Sequence, residues 1–178
     1  MESAPSYADV YPLIRSGGLF VMLIGAAIVL GSIWFRSRNA LLGLGATIAA
    51  VAVSLSAARL AAPYGVPTFA QVAWLVTAVV AEVVALVFVI RRFAPHGERA
   101  VLLAILVVVG MHFLPMAPAF GPLAAVLGVV CAVNALAAVR ISGYPLRAVW
   151  AIDGGLKIAV GALMWWLPLV GTAGNSAV

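Results

Sequence analysis

Six apolar stretches of membrane-spanning length, each closed by a charged or turn-rich break, constrain this chain more than any other feature. They cover residues 18–35, 40–61, 69–90, 100–115, 123–139 and 148–170. A helix needs about 20 mainly apolar residues to cross a bilayer, and only helices and closed barrels satisfy every backbone polar group there. Apolar runs this long, without strand-like alternation, read as helices. The sequence therefore predicts an all-α integral membrane protein, one transmembrane domain over residues 1–178 with six helices arranged as three helical hairpins. The breaks are Arg36-Ser37-Arg38-Asn39, Pro63-Tyr64-Gly65-Val66-Pro67, and residues 91–99, 115–122 and 140–147, where Pro, Gly and charge punctuate the chain. The fourth stretch is the shortest, and Pro115 and Pro118 predict an irregular helix end there.

Composition closes off the alternatives. Hydrophobic residues make up 66% of the chain and charged residues 8%, against about 25% charged in a soluble domain. A soluble enzyme, a disordered chain and a disulfide scaffold are excluded. Cys131 is the only cysteine and cannot form an internal disulfide. A net charge of +5 would suit nucleic acid only on a basic, folded polar face. Here the arginines punctuate apolar stretches, so no nucleic-acid partner is expected.

Charge placement orients the chain. Arg36, Arg38, Arg91, Arg92, Arg99, Arg140 and Arg147 follow the first, third and fifth stretches, and the breaks after the second and fourth hold no basic residue. Short basic loops stay cytoplasmic, which places both termini outside. Trp34 and Trp150 fall at the expected inner interface, and Trp74, Trp165 and Trp166 at or near the outer one. Glu2 and Asp9 precede the first stretch, unlike the basic start of a cleavable signal, so that stretch is expected to remain. Small residues at four-residue spacing, Ala124/Gly128/Ala132 and Ala151/Gly155/Ala159, allow close helix packing. They suit intramolecular packing better than a homo-oligomer seam, although a homo-oligomer is compatible with them.

Ionisable groups within a bilayer cost roughly 2.5–3.5 kcal/mol each at the helix centre, so the four found here carry information: Glu82, His112, Asp153 and Lys157. At about 1.5 Å per residue, Glu82 lies roughly 12 Å in from Arg91 and Lys157 about 13 Å in from Ala148. Asn134 lies about 9 Å in from Arg140 and Asp153 about 8 Å in from Ala148. Glu82, Asn134, Asp153 and Lys157 are thus a candidate substrate- or ion-binding cluster in the inner half. Asp153 and Lys157 share a helix face at i,i+4, and Glu82 matches Lys157 in depth for an interhelical pair. The alternative is structural: an ion pair fixing helix register, with Asn134 as interhelical glue. His112, Arg59 and Gln71, with Tyr64 and Thr77, form a candidate outer vestibule. No metal-ligand spacing occurs, no cofactor is implied, and no nucleophile elbow, zinc-protease, P-loop or dinucleotide motif is present.

Two resemblances attach to particular residues. Asp153-Gly-Gly-Leu-Lys157 resembles the acid–lysine spacing of the retinal-binding helix of microbial rhodopsins, with Glu82 in the place of a counter-ion. The likeness covers five residues, and those proteins have seven helices and an aromatic-lined pocket that this chain lacks. Gly110-Met111-His112-Phe113-Leu114-Pro115-Met116-Ala117 resembles a stretch of small, uncharacterised bacterial polytopic membrane proteins. That resemblance implies a multi-pass protein of a bacterial cytoplasmic (inner) membrane and no particular activity.

Three functions follow as expectations. The first is binding or translocation of a small solute, ion or proton, with Glu82 and Asp153 as acceptors, Lys157 as counter-charge and His112 as relay. The second is an intramembrane enzyme acting on a lipid or isoprenoid through a carboxyl general acid, favoured by an apolar cavity that opens to lipid. The third is a non-catalytic membrane accessory subunit, favoured by fully paired polar groups and no cavity. The partners are the lipid bilayer and a small-molecule, ion or lipid ligand.

Overall fold

The structure, a computed structural model, describes residues 7–61, 65–141 and 143–175. It is a helical bundle. A single turn, α1 (Tyr7–Val10), precedes α2 (Ile14–Ile33), α3 (Arg38–Ala61), α4 (Phe69–Phe93), α5 (Glu98–Met111), α6 (Phe113–Phe120), α7 (Pro122–Arg140) and α8 (Leu146–Asn175). Helices α5 and α6 are one span broken at His112, so among the described residues six segments are long and apolar enough to cross a membrane. This fourth span runs over Glu98–Phe120, longer than the 100–115 read from the sequence. Pro115 and Pro118 lie inside α6 rather than ending the span.

Local chemistry sets the helix ends. Thr68 and Gln71 form a reciprocal capping box at the start of α4, satisfying two of its orphan donors. Gly121, at φ +86, reverses the chain between α6 and α7 in a left-handed conformation that L side chains avoid. Pro122 then opens α7 at a position where its missing N–H costs nothing.

The helices pack in the order α3, α2, α8, α7, α5/α6, α4. The closest seam joins the first and last spans. A methyl group at Gly18 would sit 2.7 Å from the Gly161 carbonyl oxygen, and one at Gly25 2.7 Å from that of Gly154; the reciprocal pairs are equally tight. Both glycine pairs are seven residues apart, two helical turns, so α2 and α8 meet backbone to backbone without a hydrophobic drive. Gly110 of α5 and Gly128 of α7 make a second such crossing, with an added Cβ at Gly128 2.9 Å from the Gly110 carbonyl oxygen.

One expectation is corrected here. Ala124, Gly128 and Ala132 do face the bundle, but Gly155 and Ala159 are exposed, and nothing lies within 4 Å of a Cβ at Gly155. The packing face of α8 is the one carrying Gly154, Lys157 and Gly161, about 100° around the helix. Trp150 is turned into the bundle, 3% exposed and packed edge-on against Phe35.

The arginine-bearing end is laced together. Arg38 pairs with Glu98 and stacks on Phe35, whose ring also lies 5.5 Å from Arg147. At the opposite end, α1 lies across the bundle: Gln71 Nε2 donates to the Val10 carbonyl at 2.9 Å, and Arg15 sits 4.5 Å over the Trp165 ring. Outward faces of α3 and α4 remain apolar, with Leu55 and Phe88 mostly exposed, as surfaces facing lipid are.

Candidate functional site

The polar groups of the bundle centre form two ionisable pairs and one amide bridge. Asp153 and Lys157, one turn apart on α8, are both completely buried and ion-paired. The Lys157 Nζ also approaches Cys131 Sγ of α7 at 3.7 Å and lies 5.8 Å from the Phe113 ring centroid. On the remaining side, an added Cβ at Gly25 of α2 would lie 2.9 Å from the Lys157 Cβ, so the glycine seam presses the pair inward. One oxygen, Asp153 Oδ1, has no hydrogen-bond partner among the described residues.

The second pair arises from the broken span. Pro115 has no N–H for the Met111 carbonyl, and its ring crowds that carbonyl, so the helix breaks at His112. In the last turn of α5 intrahelical partners run out, and His112 Nδ1 contacts the Val109 carbonyl at 2.6 Å. The same nitrogen lies 3.5 Å from Glu82 Oε1 of α4. A single Nδ1 proton facing two oxygens assigns the tautomer and leaves Nε2 as the acceptor. Both side chains are partly exposed, 12% for His112 and 20% for Glu82.

Asn134 belongs to neither pair. Its Nδ2 donates to the Val149 carbonyl at 2.9 Å, tying α7 to α8. Glu82, expected beside Lys157, faces His112 instead. The inner and outer groupings therefore merge at mid-span. With the fourth span extended to Phe120, His112 falls near its middle rather than toward one end. Gln71 is engaged in the α4 cap and with Val10. Arg59 and Thr77 are exposed, and among the described residues no polar contact joins Arg59 to His112. Tyr64 lies outside the described residues.

A cavity of about 290 Å³ lies beside these groups, in the half of the bundle away from the arginine end. All six spans contribute walls: Phe20 from α2, Val53 from α3, Leu75 from α4, Phe113 from the fourth span, Leu127 from α7 and Met164 from α8. Among the described residues lining it, His112 is the one ionisable side chain. Leu13 and Phe120 stand at its end away from the arginines, while Val21, Phe113 and Leu127 pack with Cys131 between cavity and Lys157. His112 also lines a second, lipid-side groove of about 260 Å³ with Glu82 and Pro115.

Sequence reasoning missed Cys131, the cavity and the glycine seam. The seam had a signal, the matched seven-residue spacing of Gly18/Gly25 and Gly154/Gly161. Cys131 had none, because its role depends on helix rotation.

These features define a six-helix membrane bundle with one sealed ion pair and one accessible acid–imidazole pair beside an apolar cavity. Residues 6–169 match the family of unknown function DUF6609, and the chain belongs to that family. No curated protein matches the chain, and no solved structure matches it.

Proposed function

We propose that this protein binds a small, largely apolar solute inside the membrane, as the first step of moving or presenting it. The observation that carries this reading is the cavity, lined almost wholly by apolar side chains, with the Ser16 hydroxyl committed to the Leu13 carbonyl and His112 left as its polar contact. Its volume is near the lower end of small-molecule sites, about 300 Å³. A ligand with an apolar body and one hydrogen-bonding group fits such a site: the walls take the body, and the imidazole, backed by Glu82, takes the polar group. Asp153 and Lys157 hold α8 against α7 and α2 and do not meet the ligand. We also propose that the arginine end faces the cytoplasm of a bacterial inner membrane, on the strength of its seven arginines.

A photoreactive alkyl diazirine in lipid nanodiscs tests the binding reading. Leu127 and Met164 are each 1% exposed, so only a molecule within the bundle labels them. Labelling of both is expected, with loss in Val53→Trp, which fills the cavity, and no change at the outward-facing Val84. Unlabelled Leu127 and Met164 in the unmodified protein would overturn it.

One observation favours a second reading, proton movement: Glu82 and His112 stand side by side, 3.5 Å apart, midway along their spans. Proton flux into proteoliposomes, lost in Glu82→Gln while the variant stays folded, is its expected signature. Equal flux with and without protein would exclude it.

A further inference from the structure

We propose that the groove between α4, α5 and α7 at the arginine end is a binding site for a phospholipid with an anionic headgroup. Helix α5 forms the floor; α4 and α7 each pack on it, leaving a groove of about 550 Å³ between them. Its mouth carries Arg99 and His96, and its walls are otherwise apolar, among them Phe93, Leu103, Val108 and Leu136. Cationic mouth and apolar shaft complement a phosphate and an acyl chain.

The mouth is built by the fold. The Ala138 carbonyl, in the last turn of α7, lacks an intrahelical partner, and Arg99 Nη2 donates to it at 3.2 Å. That contact draws the guanidinium across the groove and leaves most of its five donors for a headgroup. The first turn of α5 adds unpaired amides, since Val101 N–H is the donor that reaches Gly97; such a terminus favours an anion. Glu98, the acidic side chain nearest in sequence, is engaged by Arg38. From Ala100 to Val108 the groove follows eight residues of helix, about 12 Å, most of the roughly 15 Å depth of one leaflet. One acyl chain lies along it with its phosphate at Arg99 and His96.

The test is native mass spectrometry and thermal unfolding of the full chain in detergent, titrated with phosphatidylglycerol, phosphatidylcholine or inorganic phosphate. Phosphatidylglycerol is expected to stay bound and raise the unfolding temperature, with phosphatidylcholine retained at least tenfold less and inorganic phosphate inert. Arg99→Gln is expected to weaken retention about tenfold, whereas Arg140→Gln, removing the same charge outside the groove, leaves it unchanged. Leu136→Trp, a substitution at an exposed position that fills the shaft, is expected to reduce retention as well and decides the matter should Arg99→Gln fail to fold. Equal retention of both lipids, equal effects of Arg99→Gln and Arg140→Gln, or binding of inorganic phosphate alone would overturn the proposal.

Discussion

Asp153–Lys157 and Glu82–His112 are both acid–base pairs near the middle of the same bundle, yet their surroundings differ completely. The first has no exposed surface, and the glycine seam, Cys131 and Phe113 surround it. The second stands between the central cavity and a lipid-side groove, with both members partly exposed. A sealed pair is held by structure and can exchange nothing; an accessible one can meet a ligand. Charge within a membrane is therefore not by itself a mark of function. The walls around it decide.

The largest effect that sharpens this contrast is loss of one sealed partner. Lys157→Met leaves the Asp153 carboxylate buried without its counter-charge, and a broken buried pair costs about 3–5 kcal/mol. Unfolding in mixed micelles should show that loss, and Asp153→Leu added to Lys157→Met should recover most of it. Next is the seam that seals the pair. Gly154→Ala places a methyl 2.7 Å from the Gly25 carbonyl oxygen, an overpacking worth about 1–3 kcal/mol; Gly155→Ala, with open space around it, should be neutral by the same assay.

The accessible pair should behave oppositely. Glu82→Gln is expected to cost about 0.6 kcal/mol, and no more than about 1.7, the range for interhelical polar contacts in membranes, while altering ligand labelling. A destabilisation as large as that of Lys157→Met would erase the distinction between the pairs. Asn134→Ala should be the smallest effect, about 0.6 kcal/mol for one interhelical hydrogen bond, with cavity labelling untouched.

Much of the fold was legible because bilayer physics writes itself into sequence. Apolar length fixed the six spans, and Arg36, Arg91 and Arg140 marked the turns at one end. The i,i+4 spacing of Asp153 and Lys157 also announced their pairing. Distances between helices were not legible. Depth counted from a loop brought Glu82 level with Lys157, but α4 packs on α5 and α6, which sets Glu82 beside His112. Pro115 and Pro118 suggested an end to the fourth span, whereas the chain breaks at His112 and continues to Phe120, which moves His112 to mid-span. The face of α8 was misjudged because Gly154 and Gly155 are adjacent, and only the partner glycines of α2 show which one packs. A cavity bounded by six helices leaves no mark in any one of them.

The most direct test of the central claim, that His112 backed by Glu82 is the polar contact of an apolar ligand site, compares two photoprobes of equal length. One is an alkyl diazirine, the other the same chain ending in a hydroxyl group, and labelling is read at Met164. The account predicts that the hydroxyl probe labels Met164 more strongly in the unmodified protein, and that His112→Phe abolishes the difference while leaving alkyl labelling in place. Equal labelling by the two probes in the unmodified protein, or a hydroxyl preference that survives His112→Phe, would contradict it.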